Sequence, residues 1–559
     1  MSASYLHGER PLHDYLRHHA RTRPDQAAFL WYGRAITYRE LDRLSDACAS
    51  LLASLGVRRG DRVALFLNNC PQYVIAHFGI QKLGAIVGPC SPLFKAMELE
   101  YQLGDQGSRV IIAADHLLPV IEEVRDKTAL EHVLTTNYAD LLPAEPAFEP
   151  PAELRQPRVP IDGRAARDLL ASIDEAAARI AAGTDPHADA VHAAVDLDDC
   201  ALMTYTSGTT GRPKGAMLSY RNALFKTAAT TNGNAITPDD VLLAIAPLYH
   251  IAGMLMGIDV TVYVGATTVL LHRFDPAASL AAIERHQVTW WYAIAPMLVA
   301  CMQVPQRDTG APTPAGRTRS GLSSLRYTPT TSFGIAMTES LAEQWKTFTG
   351  GCQAHEAAYG LSETHTLDAM MPLDAVRWGT CGKPAPGVDL RIVDPDDPGD
   401  PPRARPAGET GEIVLFSEGN FLGYWNNAEG TAKTLRNGWV FTGDMGRLDE
   451  DGYLSFLGRF KEMIKVSGYS VFPEDVETML IKHPAIDQAA VIGVADPAKG
   501  EVVKAFIVRK PGQQADAAAI IEWCRANMSP YKVPREIVFR DSLPATGAGK
   551  LLRRLLKDE

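Results

Sequence analysis

Short apolar runs alternate with helix-length segments through the first part of the chain. The runs RVALFLNN (62–69), AIVGPC (85–90) and RVIIAA (109–114) are typical of buried strands, and PQYVIAHFGIQKLG (71–84) is typical of a helix. Alternation of this kind predicts a parallel sheet with helices on its faces, and therefore an α/β fold. Similar strand-like runs return at 200–206, 241–247 and 266–271.

The chain is too long for a single hydrophobic core, because 559 residues exceed the size at which cores stop growing. The proline-rich stretch 140–165 is predicted to be a surface loop, and 166–182 has the period of an amphipathic helix. A second proline-rich stretch precedes β-rich sequence, after which a compact α+β unit begins. We expect an N-terminal domain over 1–459 and a C-terminal domain over 460–559.

Charge and cysteine usage exclude several classes of protein. The net charge of −11 argues against nucleic acid as the main partner, which needs clustered Lys and Arg. The eight cysteines are scattered without metal-binding spacing, which indicates reduced thiols. No run approaches the roughly 20 apolar residues of a membrane span, and the first residues do not resemble a secretory signal. A cytoplasmic protein without an integral membrane segment is expected.

The stretch YTSGTTGRPKG (205–215) contains three glycines, four Ser and Thr residues and Lys214. Its order differs from that of a nucleoside-triphosphatase loop, in which the lysine precedes Ser or Thr at the start of a helix. Here strand-like sequence lies on both sides, so backbone amides and hydroxyl groups are expected to bind an anion. Ser219 is predicted to cap the helix that follows.

The stretch 205–222 resembles the phosphate loop of the adenylate-forming (AMP-binding) superfamily. Its other motifs follow in order, as PLYHIAGM (247–254), AYGLSET (358–364), GTCGKPAPGVDLRIVD (379–394), GYWNNAEGTAKTLRNGWVFTGD (423–444), GRFKEMIKVSGYSVFPEDVE (458–477) and LPATGAGKLLRR (543–554). The resemblance implies a large N-terminal domain of αβ-sandwich subdomains plus a β-barrel-like subdomain. A small, mobile α+β C-terminal domain would follow it, with the hinge at Lys461.

The resemblance implies ATP and Mg²⁺ as ligands of the N-terminal domain. Tyr359 would stack on adenine, Asp444 would accept the ribose hydroxyls, and Glu363 and Thr206 would bind Mg²⁺. By itself, Glu363 is equally consistent with a helix-capping carboxylate. The implied ATP- and AMP-binding residues are Thr206, Ser207, Gly208, Thr209, Thr210, Lys214, Gly334, Tyr359, Ser362, Asp444 and Arg459.

The implied reaction joins a carboxylic acid to AMP with release of pyrophosphate. The transition state gains negative charge on the α-phosphoryl group, and Lys550 would place a cation there. The other implied catalytic residues are His250, beside the acyl carboxylate, and Glu363. The acyl-binding residues would be His250, Met254, Thr331 and Gly360, and the CoA-binding residues would be Ser467, Gly468, Tyr469 and Lys499.

Departures from the family pattern restrict the acid. Ile251 stands where amino-acid adenylation domains carry an aspartate, so a substrate ammonium would be buried unpaired, and an α-amino acid is not expected. Gly360 replaces the tryptophan of acetate-specific relatives, which favours an acyl group longer than acetyl. The apolar run 251–265 is equally consistent with a pocket wall and with a core helix. TTSFGIAM (330–337) differs from the usual S-G-G-A-P segment, so the acyl pocket is expected to be reshaped.

A stand-alone acyl-CoA synthetase acting on a fatty or other hydrophobic acid is the favoured function, with CoA as acceptor and a monomer or homodimer as the assembly. A fatty-acyl-AMP ligase that loads a separate carrier protein remains the alternative. A phosphotransferase using Lys214 would leave Lys550 unexplained. An inactive nucleotide-binding protein would be expected to have lost Lys550, Glu363 or Asp444, and all three are present.

Overall fold

The computed structural model describes residues 5–161, 166–192, 194–206, 213–305, 316–332, 337–395, 399–466, 469–496, 500–545 and 551–557. The strands in chain order are β1 Ala27–Trp31, β2 Arg34–Thr37, β3 Arg62–Phe66, β4 Ile86–Pro89, β5 Val110–Ala114, β6 His132–Thr136, β7 Arg167–Asp168, β8 Cys200–Thr206, β9 Lys214–Ser219, β10 Val241–Ala244, β11 Thr267–Leu270, β12 Trp290–Trp291, β13 Ala293–Ile294, β14 Tyr327–Thr331, β15 Gln353–Glu356, β16 Ala358–Tyr359, β17 Ala369–Met370, β18 Lys383–Pro384, β19 Asp389–Val393, β20 Gly411–Phe416, β21 Gly423–Tyr424, β22 Leu435–Arg436, β23 Trp439–Leu448, β24 Leu454–Arg459, β25 Ile464–Val466, β26 Tyr469–Val471, β27 Ile486–Asp496, β28 Gly500–Arg509 and β29 Glu536–Arg540.

The α-helices in chain order are α1 Leu12–Thr22, α2 Tyr38–Ser54, α3 Pro71–Lys82, α4 Ala96–Gln106, α5 Leu118–Arg125, α6 Leu169–Ala181, α7 Ala188–Val191, α8 Tyr220–Gly233, α9 Ile251–Met254, α10 Val260–Val264, α11 Pro276–His286, α12 Ala295–Met302, α13 Glu339–Thr349, α14 Ala428–Thr434, α15 Pro473–Leu480, α16 Ala517–Asn527 and α17 Arg554–Lys557. A π-helical turn, Leu255–Asp259, joins α9 to α10. No helix in the described ranges is long and apolar enough to cross a membrane.

Two eight-stranded sheets form the larger part of the fold. One has the order β21-β9-β8-β4-β3-β5-β6-β7, and the other has the order β13-β14-β12-β10-β11-β1-β2 with β15 beside β14. Pairing is parallel from β8 through β4, β3, β5 and β6 to β7, and it is also parallel from β1 through β11, β10 and β12 to β14. The α/β prediction is therefore confirmed.

Asn69, two positions before helix α3, connects the two sheets. Every residue of α3 is buried, as expected for a helix covered on all sides. Asn69 follows β3 of one sheet, and its amide Nδ2 donates to the carbonyls of Ile245, Ala246 and Leu271 (3.1–3.2 Å) beyond β10 and β11 of the other. Its Oδ1 accepts from the amide of Leu248 at 2.8 Å. One buried side chain thus joins the carboxyl ends of strands from both sheets.

The predicted helix over 166–182 is right for most of its length and wrong at its start. Arg167 and Asp168 pair with β6 as the short strand β7, and α6 begins at Leu169. Asp168 Oδ1 accepts the backbone N–H of Ala171 at 2.8 Å, which fixes Asp168 as the N-cap. Apolar periodicity alone does not locate such a cap.

Antiparallel sheets follow the parallel ones. Strands β19, β20, β23 and β22 form a sheet in that order, with β24 paired to β23. Beyond β24, a separate five-stranded sheet has the order β26-β25-β28-β27, with β29 parallel to β28, and α15 and α16 pack on it. Its buried apolar cluster begins at Ile464.

Candidate active site

The phosphate-loop sequence joins two paired strands, as predicted. Thr206 ends β8 and lies opposite Lys214, which begins β9. Ser219 then caps α8, because its Oγ accepts the N–H of Asn222 at 3.1 Å while Asn222 Oδ1 accepts the N–H of Ser219 at 2.7 Å. The predicted cap is confirmed. Ser207, Gly208, Thr209 and Thr210 lie outside the described residues.

Three of the predicted nucleotide-binding residues meet in one contact network. Asp444 and Arg459 are paired across β23 and β24, and Arg459 Nε lies 2.9 Å from Asp444 Oδ1. Tyr359 Oη donates to Asp444 Oδ2 at 2.8 Å. Asp444 is only 2% exposed, and burial together with the Asp444 charge raises the pKa of the Tyr359 hydroxyl well above its usual value. The phenol therefore remains a hydrogen-bond donor at physiological pH.

A second network contains the predicted metal ligand Glu363. It lies in a 3-10 turn, Ser362–Thr364, that packs against β8 and β9. Tyr424 Oη donates to Glu363 Oε1 at 2.5 Å, and Lys214 Nζ lies 4.8 Å from the centre of the Tyr424 ring. Burial and the Glu363 charge raise the pKa of Tyr424. Tyr424 thus connects the cation of the phosphate loop to the proposed Mg²⁺ ligand.

Tyr424 is the functional side chain that sequence reasoning missed. It belongs to the motif segment 423–444, but the segment gives no indication that its hydroxyl reaches a carboxylate 61 positions earlier. The available signal was indirect: Gly423 directly precedes Tyr424, and glycine within a strand often marks a site where a ligand or another backbone approaches closely.

The charge of Lys461 interacts with those of two other basic side chains. Burial lowers the pKa of Lys461, and the charges of Arg459 and Lys214 lower it further. The charges of Glu462 and Asp444 raise it in part. An anion bound here would relieve the repulsion among the three cations. Lys461 lies in the turn Phe460–Glu462, directly after β24.

The chemistry of the donors in this region suits Mg²⁺ and a phosphate chain. Carboxylate and hydroxyl oxygens are the hard donors that Mg²⁺ prefers, and Glu363 and Thr206 supply them. Mg²⁺, when bound, would reduce the negative charge on phosphate oxygens and leave the protein cations to complete the neutralisation.

A left-handed turn directly follows the 3-10 turn that contains Glu363. His365, Thr366 and Leu367 have φ values of 54°, 59° and 56°, a left-handed conformation that β-branched residues such as Thr366 rarely adopt. Fully buried Lys226 forms an ion pair with fully buried Asp368, directly after the turn, and Thr364 donates to the same carboxylate.

Gly360 faces this turn. A Cβ built on Gly360 would lie 2.3 Å from the backbone nitrogen of Leu367 and 2.7 Å from the carbonyl carbon of Thr366. The position therefore has to be glycine for the close approach of two backbone segments. Its predicted role in leaving room for a long acyl group stays a prediction.

The other three predicted acyl-binding residues differ from one another in exposure and in contacts. His250 is exposed at the N-terminus of α9, and its Nδ1 accepts from the N–H of Ala252 at 3.4 Å. Met254 is 1% exposed and belongs to the main apolar core, as do most neighbours in the run 251–265. Thr331 Oγ1 is hydrogen bonded to Tyr292 Oη at 2.9 Å.

One of the predicted CoA-binding residues lies in a described strand. Tyr469 begins β26, which pairs with β25. The predicted residues that lie outside the described part of the chain, besides those of the phosphate loop, are Gly334, Ser467, Gly468, Lys499 and Lys550.

A charged cluster secures the segment that follows Lys550. Arg553 contacts Glu462 Oε2 at 2.6 Å, Glu474 Oε1 at 2.8 Å and Glu477 Oε2 at 2.7 Å. Three carboxylates thus surround one guanidinium, and burial raises the pKa of Glu474 to about 7. Ala545 and Leu551, on either side of the stretch that contains Lys550, pair as an isolated antiparallel bridge.

Comparison with known proteins agrees with this architecture. The family model described as AMP-binding enzyme matches residues 16–425, and that of the AMP-binding enzyme C-terminal domain matches residues 475–550. The long-chain-fatty-acid–CoA ligase of Bacillus subtilis (strain 168) is 34% identical over 546 residues, covering 96% of this chain and 92% of the relative. The feruloyl-CoA synthase of an Amycolatopsis species is 34% identical over 542 residues, covering 96% of each chain.

The structural comparison gives the same result. The crystal structure of the anthranilate CoA ligase AuaEII with anthranoyl-AMP superposes with a TM-score of 0.81 at 29% identity, covering 98% of this chain and 96% of that one. The fold and the site define an ATP-dependent, AMP-forming acid–thiol ligase. The chain belongs to the AMP-binding enzyme family, and its resemblance to the adenylate-forming superfamily is confirmed.

Proposed function

We propose that this protein is an acyl-CoA synthetase for a hydrophobic carboxylic acid longer than acetate. The observation that carries the proposal is the joining of Tyr359, Asp444 and Arg459 in one network beside Glu363. That arrangement supplies an aromatic face, a buried carboxylate and cations to a nucleotide, as activation of an acid by ATP requires.

The first half-reaction forms the acyl-adenylate. A carboxylate oxygen of the acid attacks the α-phosphorus of ATP, and pyrophosphate leaves with the electrons of the broken P–O bond. Lys214, with the amides of its loop, holds the β- and γ-phosphates, while Lys550 stabilises charge on the α-phosphoryl oxygens. His250 lies at the carboxylate of the acid. AMP is the good leaving group that this step installs.

The second half-reaction forms the thioester. The thiolate of CoA attacks the acyl carbonyl carbon, and AMP departs. The C-terminal domain, residues 460–559, would rotate about Lys461 between the two steps, so that one cleft serves both. Gly468 would give the pantetheine chain room, with Ser467, Tyr469 and Lys499 as further contacts to CoA.

A residue of the site and the known relatives both support a hydrophobic acid as the substrate. Ile251 is buried and offers no partner to an α-ammonium group. The relatives named above are described as acting on a long-chain fatty acid, a ferulate and an anthranilate, all with substantial apolar surface. We therefore include aliphatic and aromatic acids.

The eight cysteines, all free thiols, support a cytoplasmic location, and a monomer and a homodimer are both compatible with the proposal.

A pyrophosphate-release assay across aliphatic, aromatic and dicarboxylic acids, with and without CoA, tests the proposal. We expect release with hydrophobic acids, faster turnover with CoA, and acyl-CoA among the products. Turnover unaffected by CoA, with acyl-AMP accumulating, would indicate transfer to a carrier protein instead. Formation of ADP would identify a phosphotransferase and contradict the proposal.

A further inference from the structure

Glu356 is a carboxylate that none of the roles above uses. It ends β15 at the carboxyl edge of a parallel sheet, and it lies opposite Thr330 on β14, one residue before Thr331. In open α/β sheets, ligands bind outside the carboxyl ends of the strands. Glu356 is therefore placed at the edge where a substrate is expected.

Glu356 lies beside a proposed acyl-binding residue. It pairs with Thr330, and Thr331 follows as the last residue of β14. The Ala357 amide donates to Thr330 O at 2.8 Å, which extends this contact by one residue beyond β15. Glu356 and Ala357 are partly exposed, whereas His355 before them is buried. Glu356 is thus at a partly exposed strand end next to Thr331.

The contacts of Glu356 with the described residues leave acceptor capacity unused. The Ser332 N–H donates to Oε1 at 3.2 Å, and the Ser332 hydroxyl donates to Oε2. An ionised carboxylate can accept about four hydrogen bonds, and the described residues supply these two. Among them, no basic side chain forms an ion pair with Glu356, which leaves a half-buried charge uncompensated.

The charge of Glu356 acts on two other titratable groups. They are Tyr292, whose hydroxyl is hydrogen bonded to Thr331, and Cys381. Burial raises the pKa of both, that of Cys381 to about 12, so neither ionises between pH 6 and 8.5. Burial also raises the pKa of Glu356, to about 7. Within that pH range Glu356 is the group of this cluster that changes its charge.

We propose that Glu356 determines substrate specificity by accepting a hydrogen bond from a hydroxyl or amino group of the acid, remote from its carboxylate. The inference rests on the proposed function and deepens it. The substrate class becomes a hydrophobic acid that carries a hydrogen-bond donor, such as a hydroxylated or amino-substituted aromatic acid or a hydroxylated aliphatic acid. An acid with hydrocarbon alone would leave the carboxylate desolvated without a partner, and a site built for a hydrogen bond discriminates strongly against such an analogue.

Matched acid pairs test the proposal. Suitable pairs are 4-hydroxycinnamate with cinnamate, 4-aminobenzoate with benzoate, and 10-hydroxydecanoate with decanoate. For at least one pair, we expect kcat/KM of the wild-type enzyme to favour the donor-bearing acid about tenfold or more. Glu356→Leu should bring this ratio to one or below and leave the KM for ATP unchanged. Exposed Glu343→Gln, on α13, is the matched control and should retain the wild-type ratio.

The pH dependence of the wild-type enzyme gives a second test, which does not depend on whether Glu356→Leu folds. Below about pH 7 the protonated Glu356 is a weaker acceptor. The ratio of kcat/KM for the donor-bearing acid to kcat/KM for its hydrocarbon partner should therefore rise between pH 6 and 8.5. Glu356→Gln, which keeps the shape but cannot ionise, should show a flat ratio over this range.

The outcomes separate the inference from the proposed function. If hydrocarbon acids are activated at least as well as their donor-bearing partners in every pair, or if Glu356→Leu retains the wild-type ratio, the inference is wrong while the synthetase activity stands. If Glu356→Leu does not fold, a wild-type ratio that is constant with pH overturns the inference. If no acid in either group releases pyrophosphate, the proposed function fails, and the inference fails with it.

Discussion

Arg459 Nε lies 2.9 Å from Asp444 Oδ1, and the two residues are direct neighbours across β23 and β24. Arg459 is the last residue of β24, and the turn containing Lys461 begins directly after it. Arg459, the partner of the proposed ribose-binding carboxylate of Asp444, therefore lies two positions before the proposed hinge residue, Lys461. We expect nucleotide binding and the position of the hinge to be coupled through the end of β24.

Asp444→Asn should weaken ATP binding strongly. The amide retains the shape of the side chain but loses the charge that pairs with Arg459 and that we propose accepts the ribose hydroxyls. Hydrogen bonds to charged groups contribute about 1.5–3 kcal/mol, so the KM for ATP should rise roughly 10- to 100-fold. Steady-state kinetics measure this. Asp451→Asn, which removes an exposed partner of Arg377, should leave the KM for ATP unchanged.

Tyr424→Phe should change the Mg²⁺ requirement more than the affinity for the acid. The substitution removes the hydroxyl that donates to Glu363 Oε1 and orients that carboxylate. Outer hydrogen bonds of this kind typically change metal affinity about 10- to 100-fold, so half-maximal activity should need more Mg²⁺. Tyr453→Phe, which loses a hydroxyl bond to Ala375 O, is the control. An unaltered Mg²⁺ titration for Tyr424→Phe would separate this tyrosine from the metal.

Lys226→Met should destabilise the N-terminal domain because it leaves the Asp368 carboxylate buried without its cation. Loss of one partner of a buried ion pair costs about 3–5 kcal/mol. Thermal unfolding of the variant should therefore begin at a clearly lower temperature. The double variant Lys226→Met/Asp368→Leu should recover part of the loss, whereas Lys433→Met, at an exposed pair with Glu429, should have little effect.

Lys550→Ala should abolish formation of acyl-AMP while the enzyme still converts supplied acyl-AMP and CoA to the thioester. The reason is that the role proposed for this lysine is at the α-phosphoryl group, which is no longer transferred in the second step. Separate assays of pyrophosphate release and of thioester formation distinguish the steps. Equal loss in both assays would contradict domain alternation about Lys461.

The cluster around Arg553 predicts a pH-dependent stability of the C-terminal domain. The pKa of Glu474, raised to about 7 by burial, lies above its value in an unfolded chain. The native state therefore binds more protons than the unfolded state between about pH 4.5 and 7, and stability should fall as the pH rises through this window. Hydrogen exchange of α15 at pH 5, 6 and 7.5 measures the change. Glu474→Gln should reduce the pH dependence, and a dependence as steep as that of the wild type would assign it to another group.

The parallel sheets and the ends of the phosphate hairpin were predictable because they depend on local patterns, such as apolar runs and a glycine-rich segment between strands. Asp444 and Arg459 could also be predicted as site residues, since each lies in a recognisable motif. The contacts of Tyr424 with Glu363 and of Glu356 with Ser332 could not be predicted. They join positions 61 and 24 residues apart that only the fold brings together. The start of α6 was missed because the Asp168 cap overrides periodicity.

The contact of Gly360 with the left-handed turn at 365–367 restricts how this enzyme can be redesigned. A larger side chain at position 360 would push against Thr366 and Leu367, and the same backbone continues from Glu363. A change intended to narrow the proposed acyl pocket there would also shift Glu363, the proposed Mg²⁺ ligand. We therefore expect substitutions at position 360 to change acid selectivity and the rate of activation together. Laboratory evolution should alter acid preference more readily through side chains such as Glu356.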